Sequence, residues 1–249
     1  MTKKLTCTIA LVLSFAGAGG VAEASAINVG DQIRLYDGPG NNGGGEFYAD
    51  VSPFGLPYDF ITFCLQRNEY FTPGQTMYVG GITDHTMSGF DPISPETASL
   101  YTAFSNGTLA NYAYSGNISF GGHTYDRTLT ATALQLAFWF MEGELTRDSG
   151  GVFHDVYSSA TFGTNALTDF YVATGNASGW TNIGNVRVLN LYGSYSPLTG
   201  YTGDRQDQIY LLPTPQIPNI PTPEPASFVL LGLGLGAMAV RLRRPRFQR

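Results

Sequence analysis

The sulfur of Cys64 is the most reactive group that this chain's composition offers. It sits in Asp59-Phe60-Ile61-Thr62-Phe63-Cys64-Leu65, and with Cys7 inside a removable leader it is the single thiol of the mature protein. A single thiol in an exported chain serves as an intermolecular crosslink, a reactive group or a small buried hydrophobe. Aromatic and branched residues around Cys64 read as a strand, so a buried, inert thiol is the plain expectation.

Other residues of catalytic type are scattered. His85, His123 and His154 lie apart in loop-like contexts, and no His-Glu-x-x-His, Gly-x-Ser-x-Gly or paired-carboxylate motif assigns them roles. Glu142 and Glu144 flank Gly143 where a helix should stop; the spacing allows an acid/base pair, but solvated helix-end carboxylates are the commoner outcome. The glycine-rich run 37–46, from Asp37 to Glu46, has oxygen ligands for calcium without the one-three-five-twelve spacing of an EF-hand, and is expected to be a flexible loop. These residues predict neither an enzyme nor a bound metal or cofactor.

Phe63-Cys64 and Leu134-Gln135-Leu136-Ala137-Phe138-Trp139 together resemble the thioester domains of bacterial surface adhesins. There an aromatic-Cys element pairs with a Thr-Gln-x-Ala-aliphatic-Trp element; Leu134 stands here for the Thr and Phe138 for the aliphatic residue. The resemblance implies that Cys64 supplies sulfur and Gln135 an acyl group, joined with loss of ammonia, and that the bond acylates an amine on another surface. Such a bond must be kept from water, and Phe63, Leu134, Phe138 and Trp139 can shield it. The alternative is a Gln135 that hydrogen-bonds a loop beside a buried Cys64.

These residues need strands and helices to hold them. Strand-like runs fall near 33–36, 60–66, 76–79, 185–192 and 208–212, separated by turns such as Thr72-Pro73-Gly74-Gln75. Ser94 can cap a helix with Pro95 at its first position, Leu100, Tyr101 and Phe104 at helical spacing and Asn106-Gly107 at its end. A second helix is predicted over 128–142 and a weaker one over 164–173. Strands, helices, then strands imply an α+β domain in which a helical insertion packs on a β barrel or sandwich. Asn106, Asn117 and Asn176 begin glycosylation sequons, which mark surface loops. Trp180 and the tyrosines suggest a second, non-covalent activity, stacking on the sugar rings of an extracellular polysaccharide, although most of these aromatics are expected in the core.

The two ends read as an address. Lys3 and Lys4, the apolar run 5–21, and small residues around Ala22-Glu23-Ala24 and Ala24-Ser25-Ala26 have the order of a secretory signal, so 1–26 is a leader for signal peptidase. An ectodomain, 27–212, follows, then a proline-rich linker, 213–225, and a segment, 226–249, with an apolar run and arginines at 241, 243, 244, 246 and 249. At about 1.5 Å per residue the apolar run reaches roughly 22 Å, so it would span a core of about 30 Å only with snorkelling flanks, which Arg241, Arg243 and Arg244 provide on the cytoplasmic side. Pro223-Glu224-Pro225, a short apolar helix and an arginine-rich terminus resemble the PEP-CTERM sorting signal of Gram-negative bacteria. That resemblance implies recognition of Pro223, Glu224 and Pro225 by an exosortase, a transient inner-membrane anchor, and a place at the cell surface or in the exopolysaccharide of a biofilm matrix. Between Ile27 and Ile220 six arginines face 17 acidic residues, a net charge of −11, and there is no lysine. This balance excludes nucleic acid as a partner, because phosphate contacts need a basic face. A lysine-free ectodomain also cannot consume its own thioester through a side-chain amine.

Overall fold

The computed structural model describes residues 27–41, 44–88 and 91–213. The predicted leader, most of the proline-rich linker, the sorting residues Pro223, Glu224 and Pro225, and the predicted membrane helix with Arg241, Arg243 and Arg244 lie outside them. No helix among the described residues is long and apolar enough to cross a membrane. In chain order the strands are β1 (Gln32–Asn41), β2 (Gly44–Val51), β3 (Phe60–Thr62), β4 (Met77–Thr83), β5 (Ile118–Phe120), β6 (His123–Tyr125), β7 (Leu145–Arg147), β8 (Phe153–Asp155), β9 (Thr161–Gly163), β10 (Val186–Ser196) and β11 (Gly200–Leu211). The helices are α1 (Pro95–Ser105), between β4 and β5, α2 (Arg127–Met141), between β6 and β7, and α3 (Ala166–Asn176), between β9 and β10. The described residues are thus mostly β, in sandwich-like sheets, with three helices.

Alternation builds the main sheet. Ile33 and Leu35 on β1 and Met77 and Val79 on β4 are fully buried, whereas Gln32, Arg34, Tyr36 and Tyr78 point to the other face. Six strands pair antiparallel in the order β11-β10-β4-β1-β2-β3. The two outer strands of that order then meet. Beyond β3, Cys64 bridges Gln208 of β11, flanked by Leu65 N–H donating to Asp207 O (3.1 Å) and Ile209 N–H donating to Phe63 O (3.1 Å). Cys64 therefore sits at the seam where the curled sheet closes on itself, an arrangement that covers exposed strand edges.

Local signals placed the helices well. Ser94 caps α1 by accepting from Thr97 N–H, Asp126 caps α2 through Leu129 N–H, and Asn165 caps α3 through Leu167 and Thr168. Helix α2 is buried along most of its length: Leu136 and Trp139 belong to the apolar cluster under the sheet, and Leu134, Ala137 and Phe138 to the one shared with α1 and α3. Two sequence expectations are corrected here. The run 60–66 is not one strand, because only 60–62 stay paired with β2. The glycine-rich run is not a loop: its described residues form the adjoining ends of β1 and β2, where backbone pairing needs no side chains.

Candidate functional site

The β2–β3 register, Phe47 opposite Thr62 and Ala49 opposite Phe60, would next set Gly45 opposite Cys64. There a carboxamide from α2 takes the place of the direct ladder. Gln135 Oε1 accepts from Cys64 N–H (3.1 Å) and from Gly45 N–H (3.4 Å), while Gln135 Nε2 donates to Cys64 O (2.7 Å). One planar amide thus does the work of a peptide unit between two diverging strands. Glycine at 44 permits the insertion: a β-carbon there would lie 2.4 Å from Trp139 Cη2 and 2.7 Å from Gln135 Cγ.

Cys64 is fully buried and Gln135 nearly so, with Phe63, Leu134, Phe138 and Trp139 at most 1% exposed around them. Phe63 and Phe138 meet edge to face at 5.3 Å. The sulfur accepts a hydrogen bond from Gln208 Nε2 at 3.5 Å. Burial pushes the thiol up to about 12, only partly offset by Gln208 and by the Arg67 charge, so it is protonated at neutral pH. On the outer side Arg67 lies over the Trp139 ring (4.5 Å) and the Phe162 ring (4.8 Å) and pairs with Asp155 at 2.7 Å. A cleft of about 540 Å³ opens beside Gly44, between the β1–β2 ends and Tyr70, Phe71 and Gln206.

Several candidates are placed elsewhere. Glu46 is withdrawn from any calcium set: it is buried, with Arg127 Nε and Nη2 on its two oxygens (2.8 and 2.9 Å) and Tyr112 Oη donating at 2.5 Å. Glu142 is half-buried and Glu144 buried, so neither is a freely solvated helix-end carboxylate. They line a cavity of about 320 Å³ with Asp91 and Tyr157, and burial raises both carboxyls. Yet each has structural donors, Ser94 N–H and Oγ for Glu142 and Arg67 N–H and Tyr157 Oη for Glu144. His85 pairs with Asp84 and His154 with Asp148, both at the surface. Among the described residues no group of three or more His, Cys, Asp or Glu is placed to hold a metal ion. Sequence reasoning missed Gln208, Gly44 and Arg67, whose roles depend on strand register and carry no local signature.

Next to Gln208, Asp207 is fully buried on β11 and accepts from Met87 N–H at 2.7 Å. Burial drives its carboxyl up to about 7; Met87 and Asn190 pull it down, and Glu69 adds repulsion. An unfolded aspartate titrates near 3.9, so between those values the folded chain holds the extra proton. Asp207 therefore contributes stability that is fully present below about pH 4 and is lost as pH rises through about 7. Asp207→Asn, which keeps an acceptor for Met87, is expected to be more stable than the parent by on the order of 1–3 kcal/mol at pH 8 and little changed at pH 4. Urea unfolding at the two pH values measures this; an equal effect at both would refute the titration.

Residues 221–244 match the PEP-CTERM protein-sorting motif, a span that includes Pro223, Glu224 and Pro225. No curated protein and no solved structure matches the chain. The motif implies an exported protein that is processed at the membrane by an exosortase.

Proposed function

We propose that this exported protein acts without enzymatic turnover at the surface or in the matrix of a Gram-negative bacterium, adhering through an internal thioester between Cys64 and Gln135. The observation that carries the reading is the seating of the Gln135 carboxamide on Cys64, across a strand seam shielded from water. Cys64 Sγ attacks Gln135 Cδ, the carbon–nitrogen bond breaks, and the thiol proton leaves with the nitrogen as ammonia. In the conformation described the amide faces the Cys64 backbone and the sulfur faces Gln208, so the step requires the sulfur to exchange Gln208 for Gln135. A primary amine of another molecule, reaching the acyl carbon from the cleft beside Gly44, then forms an amide and frees the thiol. The absence of lysine between residues 27 and 220 protects the bond from the chain itself.

Intact mass of the exported protein decides the matter. The expected mass is one ammonia below that of the processed sequence, with the deficit abolished by Cys64→Ala and replaced by an adduct on Gln135 after exposure to methylamine. A full mass, with one thiol titratable after denaturation, overturns the proposal.

A further inference from the structure

The outer face of the main sheet carries tyrosines on several strands. On β1 and β2, Tyr36 stands opposite Tyr48, and Tyr58 lies 5.4 Å from the first ring and 5.2 Å from the second, parallel to the latter within 4°. Farther along β1, Gln32 stands opposite Tyr78 of β4 and donates to its hydroxyl at 3.2 Å; Tyr78 in turn stands opposite Tyr192 of β10. Tyr201 closes this second group, 5.3 Å from Tyr192 and 4.8 Å from Tyr195. Gln32 and Tyr36 are four residues apart on one strand, so both groups share a face, offset by about 13 Å along the strand direction.

The packing turns these rings outward. The opposite side of β1 and β4 is filled by Ile33, Leu35, Met77 and Val79, so the tyrosine side is the one away from the core. A β-carbon at Gly80 would fall 2.2 Å from Tyr192 Cε2 and 2.4 Å from Cδ2, which shows that the Tyr192 ring lies down on the sheet over this glycine instead of standing up from it. Tyr58 is 37% and Tyr195 49% exposed. A ring lying on the sheet offers its π face, while its hydroxyl remains a donor and acceptor.

The structure assigns this face as a binding platform for an uncharged polysaccharide. Charge decides between occupants. With a net charge of −11 between Ile27 and Ile220, polyanions and anionic bilayers are repelled, and the one cation on the strand, Arg34, is engaged by Thr76 at 3.0 Å and by the Phe54 ring at 3.9 Å. A neutral sugar ring has a C–H face to lay on tyrosine and a hydroxyl rim to meet Tyr Oη and Gln32, and an extended chain of such rings can span both groups at once. This site is independent of Cys64 and Gln135.

Affinity electrophoresis of the exported protein through gels containing hydroxyethylcellulose, galactomannan, xyloglucan or, as a polyanion, polygalacturonate tests the assignment. Retardation is expected in at least one neutral glycan, unaffected by Cys64→Ala. The pair Tyr58→Ser and Tyr195→Ser, both at exposed positions, is expected to weaken it about tenfold or more in protein that still unfolds cooperatively, and each single change to weaken it less. No retardation in any neutral glycan, retardation only by polygalacturonate, or full retardation of the folded double variant would overturn the platform. So would binding to neutral phosphatidylcholine vesicles that disappears in the double variant while glycan retardation persists.

Discussion

In the uncrosslinked chain, whose Gln135 amide is intact, replacing Gln135 by alanine is expected to cost about 3–5 kcal/mol, enough to bring a domain of ordinary stability close to unfolding. The loss strands Cys64 N–H, Cys64 O and Gly45 N–H inside the seam, and each buried, unpartnered backbone group costs roughly 1–3 kcal/mol before relaxation. A void beside Trp139 and Gly44 adds to this. Gln135→Glu preserves shape but sets a carboxylate oxygen against Cys64 O, where a donor is needed. It is expected to be as harmful at pH 7 and partly restored in acid, when the protonated carboxyl can donate. Cys64→Ala leaves the backbone bonds intact and should cost about 1–2 kcal/mol for the buried sulfur. Urea unfolding of the three variants gives the comparison. If Gln135→Ala proves no worse than Cys64→Ala, the amide contributes no more than a crosslink would, and its role as a surrogate peptide fails.

The second large effect is expected at the pair formed by Glu46 and Arg127. Glu46 has a fully buried side chain on β2, and Arg127, at the first position of α2, supplies two hydrogen bonds to it and a third to Tyr114 O at 3.2 Å. Arg127→Ala leaves a carboxylate in the interior with Tyr112 Oη as its remaining donor, a change of about 3–5 kcal/mol. Combining it with Glu46→Gln removes the stranded charge and should recover more than half of the loss. Chemical unfolding of the single and double variants at one pH reads this; equal stabilities would mean that Glu46 is compensated by other groups.

How far these residues are legible in the sequence follows the range of the forces that place them. Helix caps act within one turn, so Ser94 with Pro95 identified α1 without any knowledge of its neighbours. The runs 33–36 and 76–79 were legible as strands from their own residues and the turns between them, whereas the burial of Ile33, Leu35, Met77 and Val79 on one face was decided by the fold. Glu46 was misjudged because a carboxylate in a glycine-rich run looks solvated, and its partner Arg127 is 81 positions away. Glu142 and Glu144 were misjudged likewise, since a helix-end carboxylate is solvated unless another element folds over it, as the segments carrying Ser94 and Arg67 do.

Read alone, the chain determined its address and its charge. The proline-glutamate-proline site lies in a linear sorting signal that another protein reads, and net charge is a sum that folding does not alter. Only the tertiary structure decided that the sheet closes at Cys64, that Gln135 enters the ladder between Cys64 and Gly45, and that the outer tyrosines align across strands. Those arrangements rest on strand register and on the direction from which a buried helix approaches, which are set jointly by contacts between segments far apart in the chain.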